Sequence, residues 1–173
     1  TMALNKTEFR EVIHAPPEAV WEVLVAQYGD IHVHNPTMQA SNWMDGATEG
    51  VVGAARHCQF TDKIWLDEHI AQLEVNRSVT VVASEHNLPF MRQMRATYEL
   101  MPLEGGRTEL KMSSYASTFP GFMIYLMRGQ LAASLAKHLF GMKVFIETGE
   151  TVSMDDYDGV FEGYVNAPVS AAS

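Results

Sequence analysis

The sequence has one cysteine, Cys58, so no intrachain disulfide can form. Such usage suits a reducing compartment, and a cytoplasmic location is expected. Cations are scarce: 12 Lys and Arg stand against 21 Asp and Glu, for a formal net charge of -9. That balance argues against nucleic acid, whose phosphates demand a basic face, and against adsorption to anionic membranes. Long apolar runs are missing too. The most apolar stretch, Phe119 to Leu126, is far too short to span a bilayer, and Arg128, Gln130 and Lys137 follow it, so no membrane insertion is expected. There is no P-loop, dinucleotide fingerprint, nucleophile elbow or cysteine–histidine metal cluster; neither a cofactor nor a metal is expected.

What is present is the composition of an ordinary globular protein, 47% hydrophobic and 19% charged over 173 residues, long enough to bury a real core in one domain. Thr7 to His14 alternates as a strand, with Phe9 and Ile13 on one face. Pro16-Pro17 ends it, and Pro17 and Glu18 suit the first turn of a helix. Val20, Trp21, Leu24 and Val25 recur at helical spacing, and Gly29 is expected to close that helix. Asp30 to Thr37 follows as a short helix or loop.

A series of strands comes next: Met38 to Met44, a turn at Asp45-Gly46, Val51 to Phe60, Ile64 to Val75, Val79 to Ser84, Phe90 to Leu100, and Thr108 to Ala116 beyond Glu104-Gly105-Gly106. Short strands in direct succession predict an antiparallel meander. From about Phe119 to Gly149 the period turns helical. Ile124, Leu131, Leu135, Leu139, Met142 and Ile146 form one stripe; Leu126, Ala133, Phe140 and Val144 form a second, roughly opposite. The expected organisation is one domain over residues 1–152 and an acidic tail over 153–173.

Several tracts resemble a known family. His14-Ala15-Pro16-Pro17-Glu18-Ala19-Val20-Trp21 resembles the entry into the first helix of START-like proteins, and Gly50-Val51-Val52-Gly53-Ala54-Ala55-Arg56 is similar to their G-x-G-x-x-R strand. Asp67-Glu68-His69-Ile70 with Leu73-Glu74, then Leu88-Pro89, Thr108-Glu109-Leu110 and Phe140-Gly141-Met142-Lys143, stand in family order. The resemblance covers roughly residues 7 to 150 and is to the polyketide cyclase/dehydrase and lipid-transport branch of the superfamily. It implies an α+β helix-grip fold: a curved antiparallel sheet wrapped around a long C-terminal helix, with two short helices after the first strand. It also implies a cavity between sheet and helix, expected to hold roughly the 300–1,000 Å³ usual for small-molecule sites. The fainter likeness to plant abscisic-acid receptors stops at their gating loops, where this chain has the short polar connection Phe60-Thr61-Asp62-Lys63-Ile64.

Alternation places Arg56, with Cys58 and Phe60, on the apolar face of its strand, and Glu68 shares the face of Ile70. A charge there must be paired or meet a ligand; the two pair with each other and close one end of the cavity, or they contact the ligand. Met94 and Tyr98 share a strand face, and Met112 and Ser114 extend that wall. Trp43 lines the mouth or caps the core. His138 flanks the main stripe of the long helix, where a histidine is more often a core residue than a catalytic base. His32 and His34 lack a third ligand at fixed spacing, so zinc is not expected.

Eleven methionines fit an adaptable apolar cavity or a methionine-rich core. Two functions follow. The first is a carrier or sensor for a small hydrophobic or aromatic molecule, such as a lipid or polyketide. The alternative is a polyketide aromatase/cyclase-dehydratase-like enzyme in which Arg56, Glu68, Tyr98 or His138 moves protons. The second helix stripe needs a cover, expected to be Tyr157, Phe161 and Tyr164 of the tail, the partner of a homodimer, or the curl of the sheet alone if it wraps far enough to bury both stripes.

Overall fold

Strand β1 (Asn5–Ile13) alternates outward charges with inward Phe9 and Ile13 and ends where Pro16 takes an extended backbone. Helix α1 (Pro17–Trp21) starts on Pro17 and widens into a π-helical turn over Glu22–Ala26. A 3-10 segment, Tyr28–Val33, completes the two short helices expected after the first strand. The computed structural model describes residues 4–166; the end of the expected tail, 167–173, lies outside them.

Gly29 does not close the first helix. It sits buried inside the 3-10 segment, directly under Trp43, where a Cβ would come within 2.4 Å of the indole ring. The glycine is there for close packing.

The sheet then runs as a meander: β2 (Ala40–Met44), β3 (Ala55–Gln59), β4 (Trp65–Glu74), β5 (Ser78–His86), β6 (Met91–Leu103) and β7 (Arg107–Thr118). All pairings are antiparallel, and β1 adds beside β7 to give the order β1-β7-β6-β5-β4-β3-β2. Asp45 and Gly46 both adopt positive φ, 55° and 75°, as the tight turn expected there requires. Register shifts in β4 between Asp67 and Glu68 and between Ile70 and Gln72 help to bend the sheet.

The expected strand Val51 to Phe60 is shorter than its sequence reads. Gly53 turns at φ 89° and β3 begins only at Ala55. Val52, which shares the parity of Arg56 and Cys58 in that stretch, is exposed, while Ala54 is buried.

Helix α2 (Met123–Thr148) lies in the curl of the sheet and ends on Gly149 in the left-handed region, whose N–H donates to Phe145 O at 2.8 Å. Its first stripe enters the core: Leu139 and Met142 pack with Ile13, Val79, Tyr98, Leu110 and Met112. The second stripe splits. Phe140 and Val144 are buried beneath α3 (Tyr157–Asn166) of the same chain, with the Phe140 ring 5.5, 5.2 and 5.4 Å from those of Tyr157, Phe161 and Tyr164. Leu126 and Ala133 stay exposed. A chain ending at Glu150 uncovers Phe140 and loses about 2 kcal/mol of stability, the value of keeping one large apolar side chain buried. The shift in urea midpoint measures it; an unchanged midpoint means that α3 contributes nothing to the fold.

Candidate functional site

Arg56 of β3 stands directly opposite Glu68 of β4 on the concave face. Its Nε donates to Glu68 Oε1 at 2.7 Å, and Nη2 donates to the same oxygen. Nη1 donates to the Tyr28 carbonyl at 2.9 Å, and the guanidinium lies 3.8 Å from the Tyr28 ring centroid. Only 4% of Arg56 is exposed, a depth at which a guanidinium requires this pairing. Glu68 Oε2 receives no hydrogen bond among the described residues.

The second polar pair comes from β6 and α2. Tyr98 Oη and His138 Nε2 are 3.1 Å apart, both buried. The His34 ring stacks on His138 at 6.0 Å and on Phe145 at 5.8 Å. His34 Nδ1, His138 Nδ1 and Tyr28 Oη are buried without a hydrogen-bond partner among the described residues. Burial, followed by the charge of Arg56, lowers His34 to about 3. Burial, then His34 and Arg56, holds His138 well below the usual imidazole range. Burial raises the Tyr98 hydroxyl despite Arg56. At neutral pH the group is therefore uncharged apart from the mutually neutralised Arg56–Glu68 pair.

Between these pairs lies a cavity of about 120 Å³. Eight of the expected residues line it: Arg56, Phe60, Glu68, Met94, Tyr98, Met112, Ser114 and His138. Trp43 and Cys58 do not. Trp43 caps the core against Tyr28, ring centroids 6.0 Å apart. Cys58 lies in a cluster with Ile31 and Leu66, its thiol pushed up to about 12 by burial and then by Glu68. The cavity is also smaller than the ligand-sized space expected, because methionines, Leu135 and the segment after the 3-10 turn fill the curl. That segment supplies lining residues not picked out in the sequence, Asn35, Thr37 and Met38, while Leu66, Val81, Ala96, Ser134 and Leu135, with Ile31 and Arg95, complete the wall. Asn35 Oδ1 accepts from the Thr37 hydroxyl at 2.7 Å.

A second cavity, about 60 Å³, shares Met94, Ser114 and Leu135 with the first and reaches Ile124, Arg128 and Leu131 near the start of α2. A larger depression of about 720 Å³ lies on the outer surface among charged residues including Arg10, Glu74, Arg77 and Glu109. It is an open groove away from the concave face. His32 and His34 diverge: His32 Nδ1 is 2.7 Å from Ser41 Oγ, whereas His34 turns into the core. No group of three or more His, Cys, Asp and Glu among the described residues is placed to hold a metal ion.

A seven-stranded antiparallel sheet gripping one long helix, with buried polar pairs in the space between, defines a helix-grip protein. The chain belongs to the polyketide cyclase/dehydrase and lipid transport family, whose model matches residues 6–139. Its fold is similar to the crystal structure of Ara h 8.0201, with a TM-score of 0.68, 12% identity, and coverage of 83% of this chain and 97% of that one. At that identity the likeness is one of fold. No curated protein matches the chain. Family and fold together support binding of a hydrophobic ligand in general. No helix among the described residues is long and apolar enough to cross a membrane.

Proposed function

We propose that the protein is a cytoplasmic carrier or sensor for a small, neutral, mainly apolar molecule bearing one hydrogen-bond acceptor. The observation that carries this reading is the composition of the cavity wall: two polar pairs, each joined by its own hydrogen bonds and neutral as a unit, set among Met94, Met112, Val81, Phe60 and Leu135. Glu68 already neutralises the arginine beside it, so the Arg56 guanidinium is not free to hold a carboxylate ligand. The Tyr98 hydroxyl is the natural contact. When His138 Nε2–H donates to Tyr98 Oη, the phenol proton is left to donate to a carbonyl or hydroxyl oxygen in the cavity. Space for about four waters, at about 30 Å³ each, is small. Unbranched Met38, Met94 and Met112 can change rotamer to enlarge it.

The Tyr98–His138 contact also favours a second reading, a cyclase or dehydratase in which the pair transfers protons. A histidine held well below neutrality is a weak base, and binding is the better-supported role. Native mass spectrometry of freshly purified protein is expected to show a co-purifying small molecule. Ser114→Phe, which fills the wall shared by the two cavities, reduces its occupancy at least about tenfold while the chain stays folded. Ligand retained in full by a folded Ser114→Phe protein would place the binding site elsewhere.

A further inference from the structure

Five exposed large apolar side chains, four of them aromatic, gather at one end of the molecule. Phe90 of the β5–β6 turn is 51% exposed, and Phe119, Phe122, Tyr125 and Leu126, from the end of β7 to the first turns of α2, are 61–72% exposed. The two segments are joined, since Phe119 N–H donates to Phe90 O at 2.8 Å. Arginines are laid on the aromatic rings. The Arg92 guanidinium is 5.3 Å from the Phe119 ring and that of Arg128 is 5.5 Å from the Tyr125 ring.

The charge at this end departs from that of the whole chain. Between Glu85 and Glu99, and again between Glu109 and Glu147, there is no acidic residue. Arg92, Arg95 and Arg128 are exposed and form no ion pair among the described residues. We propose that this end docks on an anionic phospholipid surface, with the Phe119, Phe122 and Tyr125 rings at the headgroup boundary and Arg92 and Arg128 among the lipid phosphates.

Three considerations select that occupant. Aromatic side chains on projecting turns suit the headgroup region, where one end of a ring is apolar and the other wet. A second copy placed twofold on the same face would set Arg92 and Arg128 against their own mates with no carboxylate between them. Each basic residue near an anionic surface tightens binding about fivefold, and the net charge of -9, which argues against adsorption, acts mostly beyond the ~8 Å over which physiological salt lets charges interact. The docked end also lies over the smaller cavity: Arg128 stacks on Tyr125 and, with Ile124, lines the cavity wall. A bilayer held there sits beside the route to Met94 and Ser114. The docking itself does not depend on what the larger cavity binds.

The test is flotation of the full chain with vesicles of phosphatidylcholine alone and of phosphatidylcholine with about 30% phosphatidylserine. Capture by the anionic vesicles in low salt is expected, reduced at least about tenfold in 0.5 M salt and weak on phosphatidylcholine alone. Phe122→Ser/Tyr125→Ser, both exposed and so leaving the urea midpoint unchanged, lowers capture at least about tenfold. Arg92→Gln/Arg128→Gln removes most of the salt-sensitive part. Absence of wild-type capture in low salt, or variants that float as well as the wild type, overturns the proposal. So does a sedimenting dimer that Phe122→Ser/Tyr125→Ser dissolves while no vesicle is bound, because a second copy then covers the face.

Discussion

Glu68→Ala lowers the free energy of unfolding by about 3–5 kcal/mol, a large share of the roughly 5–15 kcal/mol that holds a domain together. The loss comes from what is left behind. Arg56 is 4% exposed, and two of its N–H groups point at Glu68 Oε1. Without the carboxylate a guanidinium remains in the core with only the Tyr28 carbonyl and the face of the Tyr28 ring for partners. Glu68→Gln keeps an acceptor at that position and falls between alanine and wild type.

The double change Arg56→Met/Glu68→Leu removes both charges at similar volume and recovers most of the loss. It still leaves the Tyr28 carbonyl without its donor, a cost of about 1–3 kcal/mol. Urea unfolding of the wild type, Arg56→Met, Glu68→Leu and the double variant closes the cycle and yields the coupling directly. A single-variant loss under about 1 kcal/mol would mean that water reaches Arg56 and that the pair is not a buried one. The double variant also separates two roles of the pair. If it folds and keeps its ligand, Arg56 and Glu68 close the end of the cavity; if it folds and loses the ligand, they touch it.

That pair was legible in the sequence because a strand has a strict period of two. Arg56 follows the parity of Cys58, and Glu68 that of Ile70, so both had to face the core whatever the rest of the fold did. The turn at Asp45-Gly46 and the glycine ending α2 were legible for a similar reason, each being a local conformation with its own residue preference. Long-range packing was not. Asn35, Thr37 and Met38 lie in a segment without periodicity, and what brings it near α2 is Gly141, 106 residues on from Asn35, where a Cβ would come within 2.4 Å of the His34 carbonyl. Nothing local in either tract announces the contact. Gly29 misled because a glycine after a helix reads the same whether it supplies positive φ or makes room for an indole. The size of the cavity was out of reach for the same reason, since free volume is a small difference between large packed volumes. The second stripe of α2 was legible as a stripe, but periodicity does not say how far along the helix its cover extends.

Acid is expected to destabilise the protein well above the pH at which carboxylates titrate, because His34 and His138 are neutral in the core. An imidazole in the unfolded chain takes a proton near pH 6.5, whereas burial holds His34 at about 3 and His138 well below 6.5. As pH falls below 6.5 the unfolded state binds protons that the folded state refuses, so stability falls with pH. A histidine that stays neutral in the fold contributes a slope approaching about 1.4 kcal/mol per pH unit, about 2 kcal/mol for His34 between pH 6.5 and 5, and His138 adds to it in the same direction. His57 works against this trend. Its hydrogen bond to Asp67 raises its pKa, so its contribution is fully present below 6.5 and is lost as pH rises through the folded value. Lying at the surface, it is too well solvated to cancel two buried groups.

Urea midpoints at pH 7.5, 6.5, 5.75 and 5.0 measure the slope, and His138→Gln and His34→Gln should each reduce it. Glutamine at 138 keeps a partner for Tyr98 Oη, so the change in slope is separable from any change in stability at pH 7.5. A midpoint that stays flat from 7.5 to 5.0 would mean that both rings accept protons in place, with solvent or a ligand reaching the Nδ1 atoms that have no protein partner among the described residues.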